Sequence, residues 1–194
     1  MSDRLPPNSR FRELDELRPT QFVEAVPAQM HEIPGLVHIA TSKIPAVRVT
    51  SKVVETVQDH HPGSVIAFKV KGIIQGGVGF LYFNDQGLEA LILDEVDFSN
   101  PDLTLLAKPT EKPAALYIWA MAARGRSVAA TGTVATCFHE LPYRYADYYV
   151  RPATDDGRRF SRELGFHPVH SFQPDLWSYR RIINRRPLQS REAA

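Results

Sequence analysis

The segment AALYIWAMA, residues 114 to 122, is almost continuously apolar, the pattern of a central strand covered on both faces. A strand of this kind needs neighbours on its edges and layers above and below, which rules out an extended or purely helical chain. RGRSVA, residues 124 to 129, follows at once and leads into SVAATGTVATCFHEL, which reads as a helix with Val128, Val134 or Ala135, Phe138 and Leu141 as its buried stripe. A helix starting at the end of a buried strand aims unpaired backbone N–H groups beyond that strand, where its dipole favours an anion. Gly125 can make the tight turn and Arg124 and Arg126 add charge, so a pyrophosphate suits the place. The plainer alternative is that Ser127 is an N-cap and the two arginines are solvated.

Upstream, VTSKVVETVQDHHPG sets Val49, Val53, Val54 and Val57 on one helical face and is stopped by His60-His61-Pro62-Gly63. SVIAFKVK and GIIQGGVGFLYFND predict two strands or one interrupted strand, with glycines at 72, 76, 77 and 79 marking a bend or bulge. NDQGLEALILDEVDF predicts a short helix capped by Asn84 or Asp85, and SNPDLTLLAKPTEKP a loop. Downstream, YADYYV is a strand, TDDGRRFSRELG a helix capped by Thr154 or Asp155 and ended by Gly165, and FHPVHSF and LWSYRRII are closing strands. The order indicates a mixed α/β sheet with covered faces.

With 194 residues, 43% of them hydrophobic, the chain has enough material for one core. A polar, proline-bearing lead over residues 1–20 and a basic tail over 184–194 bracket one domain over 21–183. Lysine and arginine number 23 against 22 acidic residues, so no bulk field draws in nucleic acid. The lone Cys137 cannot form an internal disulfide, and no signal-like h-region or apolar stretch of about eighteen residues appears. The expected setting is a reducing cytoplasm, without membrane contact. His60-His61 and His167-x-x-His170 have no cysteine or carboxylate at ligand spacing, so no metal is expected, and GGVG lacks the Lys-Ser/Thr of a P-loop.

RGRSVA taken with ADYYVRPATDDGRRFSRELGFHPV, residues 146 to 169, resembles the GNAT superfamily of acyl-coenzyme A N-acyltransferases. That family's core runs strand, pyrophosphate loop, helix, strand, helix, then a GF turn into a last hairpin, and ELGFHPV resembles this turn. The resemblance spans about residues 64–183 and implies a GNAT-like mixed α+β fold. Its loop pattern falls on Arg124, Ser127 and Ala129, with serine where glycine is usual; Thr154 and Ser161 stand where the family often has asparagine and the tyrosine acid.

The resemblance also implies the chemistry. Acetyl-coenzyme A or another acyl-coenzyme A would donate to an amine, on a small molecule or a peptide, by direct attack, in a monomer or homodimer and without a metal. Met121 and Ala122 would line the thioester arm, Arg124, Gly125, Arg126, Ser127 and Ala129 the pyrophosphate, and Thr154 the pantetheine. A serine hydroxyl is too weak an acid for the departing thiolate, which leaves water or one of Tyr145, Tyr148 and Tyr149. An amine with a pKa near 10.4 must lose a proton before attack, and Glu111, then Asp94 or Glu95, are the nearest carboxylates along the chain. A noncatalytic acyl-coenzyme A sensor with the same fold is the alternative, as is an interaction domain without ligand.

Overall fold

A computed structural model describes residues 23–44, 47–137, 142–169 and 173–180, the side chains of Arg126 and Cys137 excepted. The expected lead and tail, Phe138, Leu141 and His170 lie outside these residues. The elements are β1 (Val23–Pro27), α1 (Ile33–Lys43), α2 (Ser51–His60), β2 (Val65–Val70), β3 (Ile73–Phe83), α3 (Asp85–Leu93), β4 (Ala115–Ala123), α4 (Ala130–Cys137), β5 (Asp147–Val150), α5 (Asp155–Glu163), β6 (His167–Pro168) and β7 (Trp177–Tyr179). Among the described residues the strands form one sheet in the order β1-β2-β3-β4-β5-β7-β6, in which β4 and β5 make the parallel pair and the other neighbours run antiparallel. This is the expected mixed α+β sheet with a closing hairpin.

Local chemistry accounts for most element ends. Thr50, Asn84 and Thr154 cap α2, α3 and α5, each accepting the N–H three residues on. Lys71 and Gly72, both at positive φ, close the two-residue hairpin between β2 and β3, a backbone twist that suits paired strands. Along one face of the sheet, Phe68, Val78, Phe80, Leu116 and Tyr148 pack with Val134 and Ala135 of α4 and with Leu164 and Phe166 after α5. The other face carries α1, α2 and α3, through Ile33, Leu36, Val54, Val57 and Leu91.

β1 and α1 have no counterpart among the elements expected from sequence. The helix expected from Ser127 starts instead at Ala130, because Gly125–Ala129 winds as a 3-10 turn. That tighter winding shifts the stripe: Val134 and Ala135 are buried as expected, whereas Val128 is 43% exposed.

The glycine-rich part of β3 is distorted in the way its composition predicts. The pairing with β2 jumps from Phe68↔Gly76 to Lys69↔Ile74, leaving Gln75 as an extra residue, and the pairing with β4 jumps from Gly79↔Ala120 to Phe80↔Ile118, leaving Trp119 extra. At Gly76 the neighbouring strand leaves no room for a side chain, since a Cβ there would fall 2.2 Å from the Ala122 carbonyl oxygen and 2.8 Å from Ala123 Cα. Gly76→Ala is therefore expected to destabilise the protein by roughly 1–3 kcal/mol, read as a lowered midpoint in urea, although alanine ordinarily suits a strand better than glycine.

His61, after α2, is buried and stacked on Tyr82 with ring centroids 4.1 Å apart. Its Nδ1 accepts the Gly63 N–H at 3.3 Å, which puts the ring proton on Nε2, 3.4 Å from the Tyr143 hydroxyl. Burial, aided by the nearby His60, holds its pKa below the ordinary 6.5. The unfolded chain then binds a proton that the native ring refuses, so His61 adds stability above pH 6.5 that is lost as pH falls towards the folded pKa. Urea midpoints at pH 7.5 and 5.5 should show a drop in the wild-type chain that is visibly smaller in His61→Phe.

Candidate functional site

β4 and β5 pair in parallel from Ala115↔Asp147 to Ile118↔Val150 and then part. β5 stops because Arg151-Pro152 follows: proline has no N–H to continue the ladder, and it biases the residue before it. The chain turns away to Thr154, whose Oγ1 accepts the Gly157 N–H at 3.0 Å and starts α5. β4 runs on to Ala123 with no strand beside it on that edge among the described residues. The unpaired edge, α4 and α5 enclose a cleft of about 140 Å³, walled by Ile118 to Met121, by Thr131, Val134 and Ala135, and by Thr154, Gly157, Phe160 and Ser161.

The residues singled out from the sequence divide between this cleft and its surroundings. Met121, Thr154 and Ser161 line it. Ala122 lies instead on a second cavity, across the sheet. Arg124, Gly125 and Ala129 are exposed and lie outside the cleft wall.

Ser127 is fully buried and closes its own turn. Its Oγ accepts the Arg124 N–H and donates to the Arg124 carbonyl, both at 2.8 Å, and its own N–H reaches that same carbonyl at 3.0 Å. Ser127, placed at the pyrophosphate by the sequence resemblance, thus has its amide and hydroxyl bonded within the turn, because the 3-10 winding supplies an acceptor three residues back. The N–H of Gly125, first in the turn and at φ 51°, has no acceptor among the described residues.

Glu111 stands apart from the cleft, exposed, with its carboxylate accepting the Lys108 N–H at 2.9 Å. Asp94 ends α3 in the left-handed region and pairs with Arg151, and Glu95 is exposed. Of the three tyrosines considered as acids, Tyr148 lines the cleft; Tyr145 carries the Lys112 ammonium 4.9 Å over its ring, and burial raises the pKa of Tyr149. Tyr148 and Arg151 are the titratable side chains in the described wall, which holds no carboxylate or imidazole.

Arg151 was not singled out from the sequence. Its guanidinium bonds Asp94 and Gln173, lies 3.5 Å from Asp175 and stacks 5.2 Å over the Phe98 ring. Gln173 donates in turn to the carbonyls of Leu91 and Ile92, so one arginine ties the end of α3 and the approach to β7 to the point where β5 stops. The signal was an arginine directly after the aromatic run YYV and directly before proline. Among the described residues no three His, Cys, Asp or Glu side chains gather as a metal site, and no helix is long and apolar enough to cross a membrane.

The self-closed turn gives a direct test. Ser127→Ala removes both Oγ bonds and leaves the Arg124 N–H without its partner, so a loss of about 1–3 kcal/mol is expected in chemical denaturation.

No protein-family model matches the chain, and a search of curated proteins finds none similar in sequence. Among solved structures, Ard1 from Thermoplasma volcanium is similar over 80% of this chain and 94% of that one, at 13% identity and a TM-score of 0.49. Naa50 from Arabidopsis thaliana, solved in complex with the bisubstrate analogue CoA-Ac-MVNAL, is similar over 80% of this chain and 95% of that one, at 12% identity and a TM-score of 0.47. An N-acetyltransferase from Staphylococcus aureus Mu50 is similar over 80% of this chain and 98% of that one, at 10% identity and a TM-score of 0.46. By its own strand order, its parallel pair and the cleft opening where that pair ends, the chain has a GNAT-like fold.

Proposed function

We propose that the chain is a cytoplasmic acyl-coenzyme A N-acyltransferase that passes its acyl group to an amine by direct attack. The observation that carries this reading is the wedge between β4 and β5, with an unpaired strand edge on one side and the capped start of α5 on the other. A pantetheine arm is narrow and carries two amides, and an exposed strand edge offers the N–H and C=O groups to pair them. In this reading the arm runs past Met121 and Thr154, and a backbone N–H of the edge steadies the thioester oxyanion. The diphosphate sits over the Gly125 N–H, with Arg124 and Arg126 as counter-charges and Ala129 leaving room beside it.

The attacking amine forms the new C–N bond, the C–S bond breaks, and the thiolate takes a proton. Tyr148 replaces the serine at position 161 as the hydroxyl suited to give that proton, because a phenol is a far stronger acid than an alcohol. Glu111, exposed and outside the cleft wall, is too far removed to act as the base. With no carboxylate in the described wall, the amine proton leaves through water.

That same lack favours a second reading, a noncatalytic acyl-coenzyme A-binding protein. Two measurements separate the possibilities. Acetyl-coenzyme A at a hundredfold excess over its Kd should stabilise the fold by about 2.7 kcal/mol, a Tm rise of roughly 5–10 °C, and Arg124→Glu should abolish the rise; no shift with any acyl-coenzyme A sinks both readings. Free thiol is then followed with amines, amino acids and peptides as acceptors. Release that falls at least tenfold in Tyr148→Phe supports the enzyme, and binding without release across the panel supports the sensor.

A further inference from the structure

On the far side of β4 from the cleft lies a second cavity of about 50 Å³, between the sheet and helices α1 and α2. Its floor is built from small residues that face each other across the strands: Gly77 and Gly79 on β3, Ala120 and Ala122 on β4. Every described residue around it is apolar, and the Trp119 indole N–H is donated to the Phe98 carbonyl at 3.0 Å. Val78, Trp119 and Ala120 border both cavities. Past Ile118 no described strand lies against the cleft edge of β4, so the route from one face of the strand to the other runs round that edge, beside the bulge at Trp119.

Whatever occupies this space must bring no polar group of its own, because an amide, hydroxyl or ammonium there would lose its water without gaining a partner. An alkyl chain satisfies that condition. A space of this size holds about four water-sized groups, hence about four carbons of such a chain.

Resting on the acyltransferase reading above, we propose that this cavity receives the aliphatic chain of the acyl donor, so that the preferred donor extends about four carbons beyond its carbonyl. The argument for donor over acceptor is placement. A thioester carbonyl at the Trp119 bulge has its pantetheine in the cleft and its alkyl substituent directed at the cavity. An amine acceptor must keep its nitrogen and the water that takes its proton at the same bulge, next to walls that can hydrate neither. Gly79 fixes the depth of the floor, for a Cβ placed there would meet Trp119 Cε3 at an ordinary 3.9 Å and project into the space without displacing backbone.

Binding of coenzyme A and of acetyl-, butyryl-, hexanoyl- and decanoyl-coenzyme A to the full chain, measured by calorimetry without acceptor, tests the inference. Affinity is expected to rise about three- to fourfold per methylene from acetyl to hexanoyl and to level off or fall at decanoyl. Gly79→Val, and separately Ala40→Leu on the α1 wall, should flatten this series while affinity for coenzyme A itself changes less than twofold. The wild-type series stands even if a variant fails to fold. Coenzyme A binding with a flat series overturns the inference and spares the acyltransferase reading, whereas failure of every coenzyme A species to bind overturns both. A flat donor series together with chain-length-dependent binding of alkylamines assigns the cavity to the acceptor and also overturns it.

Discussion

A parallel strand pair in which one member ends early leaves its partner with a row of unsatisfied amides and carbonyls, and the site of this protein is organised around that mismatch. β4 is held firmly on one edge by β3, down to the close approach at Gly76, so it cannot drift to find new partners when β5 stops at Val150. The aromatic and aliphatic packing on both faces holds β4 in place through its first residues, where Ala115, Leu116 and Tyr117 are buried. From Ile118 onward every residue of the strand is partly exposed. The same strand is therefore core at one end and wall at the other.

The polar groups around this wedge are largely committed to holding it open. Arg151, which sits at the parting, bonds Asp94 and Gln173 through Nη2 and faces the Asp175 carboxylate with Nε at 3.5 Å. A guanidinium held by groups from the end of α3 and the approach to β7 is a brace between them, and its planar fork suits the task better than an ammonium. Thr154 likewise uses its hydroxyl on the first turn of α5. The cleft is thus lined mostly by apolar side chains, with the open edge of β4 along one side.

Much of this frame was legible in the sequence because it depends on local rules. The caps at Asn84 and Thr154, the bend at Gly72, the distortion of β3 by its glycines and the strand-then-helix join at RGRSVA all follow from spacing and turn chemistry, whereas the Thr50 cap went unread and leaves Val49 outside the helix expected to hold it. β1 and α1 escaped for the converse reason. VEAVP is short and ends in proline, and it earns its place as an edge strand only through pairing with β2, a contact far away along the chain. IPGLVHIATSK opens with proline and glycine, which read as breakers, yet proline is tolerated in a helix's first turn. The placement of Val128 and Ser127 could not be read because 3-10 and α windings put the same residues on different sides, and neither spacing nor composition distinguishes the two over five residues. Arg151 carries no motif; its role exists only once α3, β5 and β7 are brought together.

The turn at residues 125–129 has one further consequence. Because Ser127 fastens it from within, through three contacts to Arg124, its shape is fixed during folding and does not wait for a guest. A glycine at that position would leave a supple loop that stiffens on contact, and association would bear that entropic penalty. Serine instead commits its N–H and its hydroxyl in exchange for a turn already set in its final curvature.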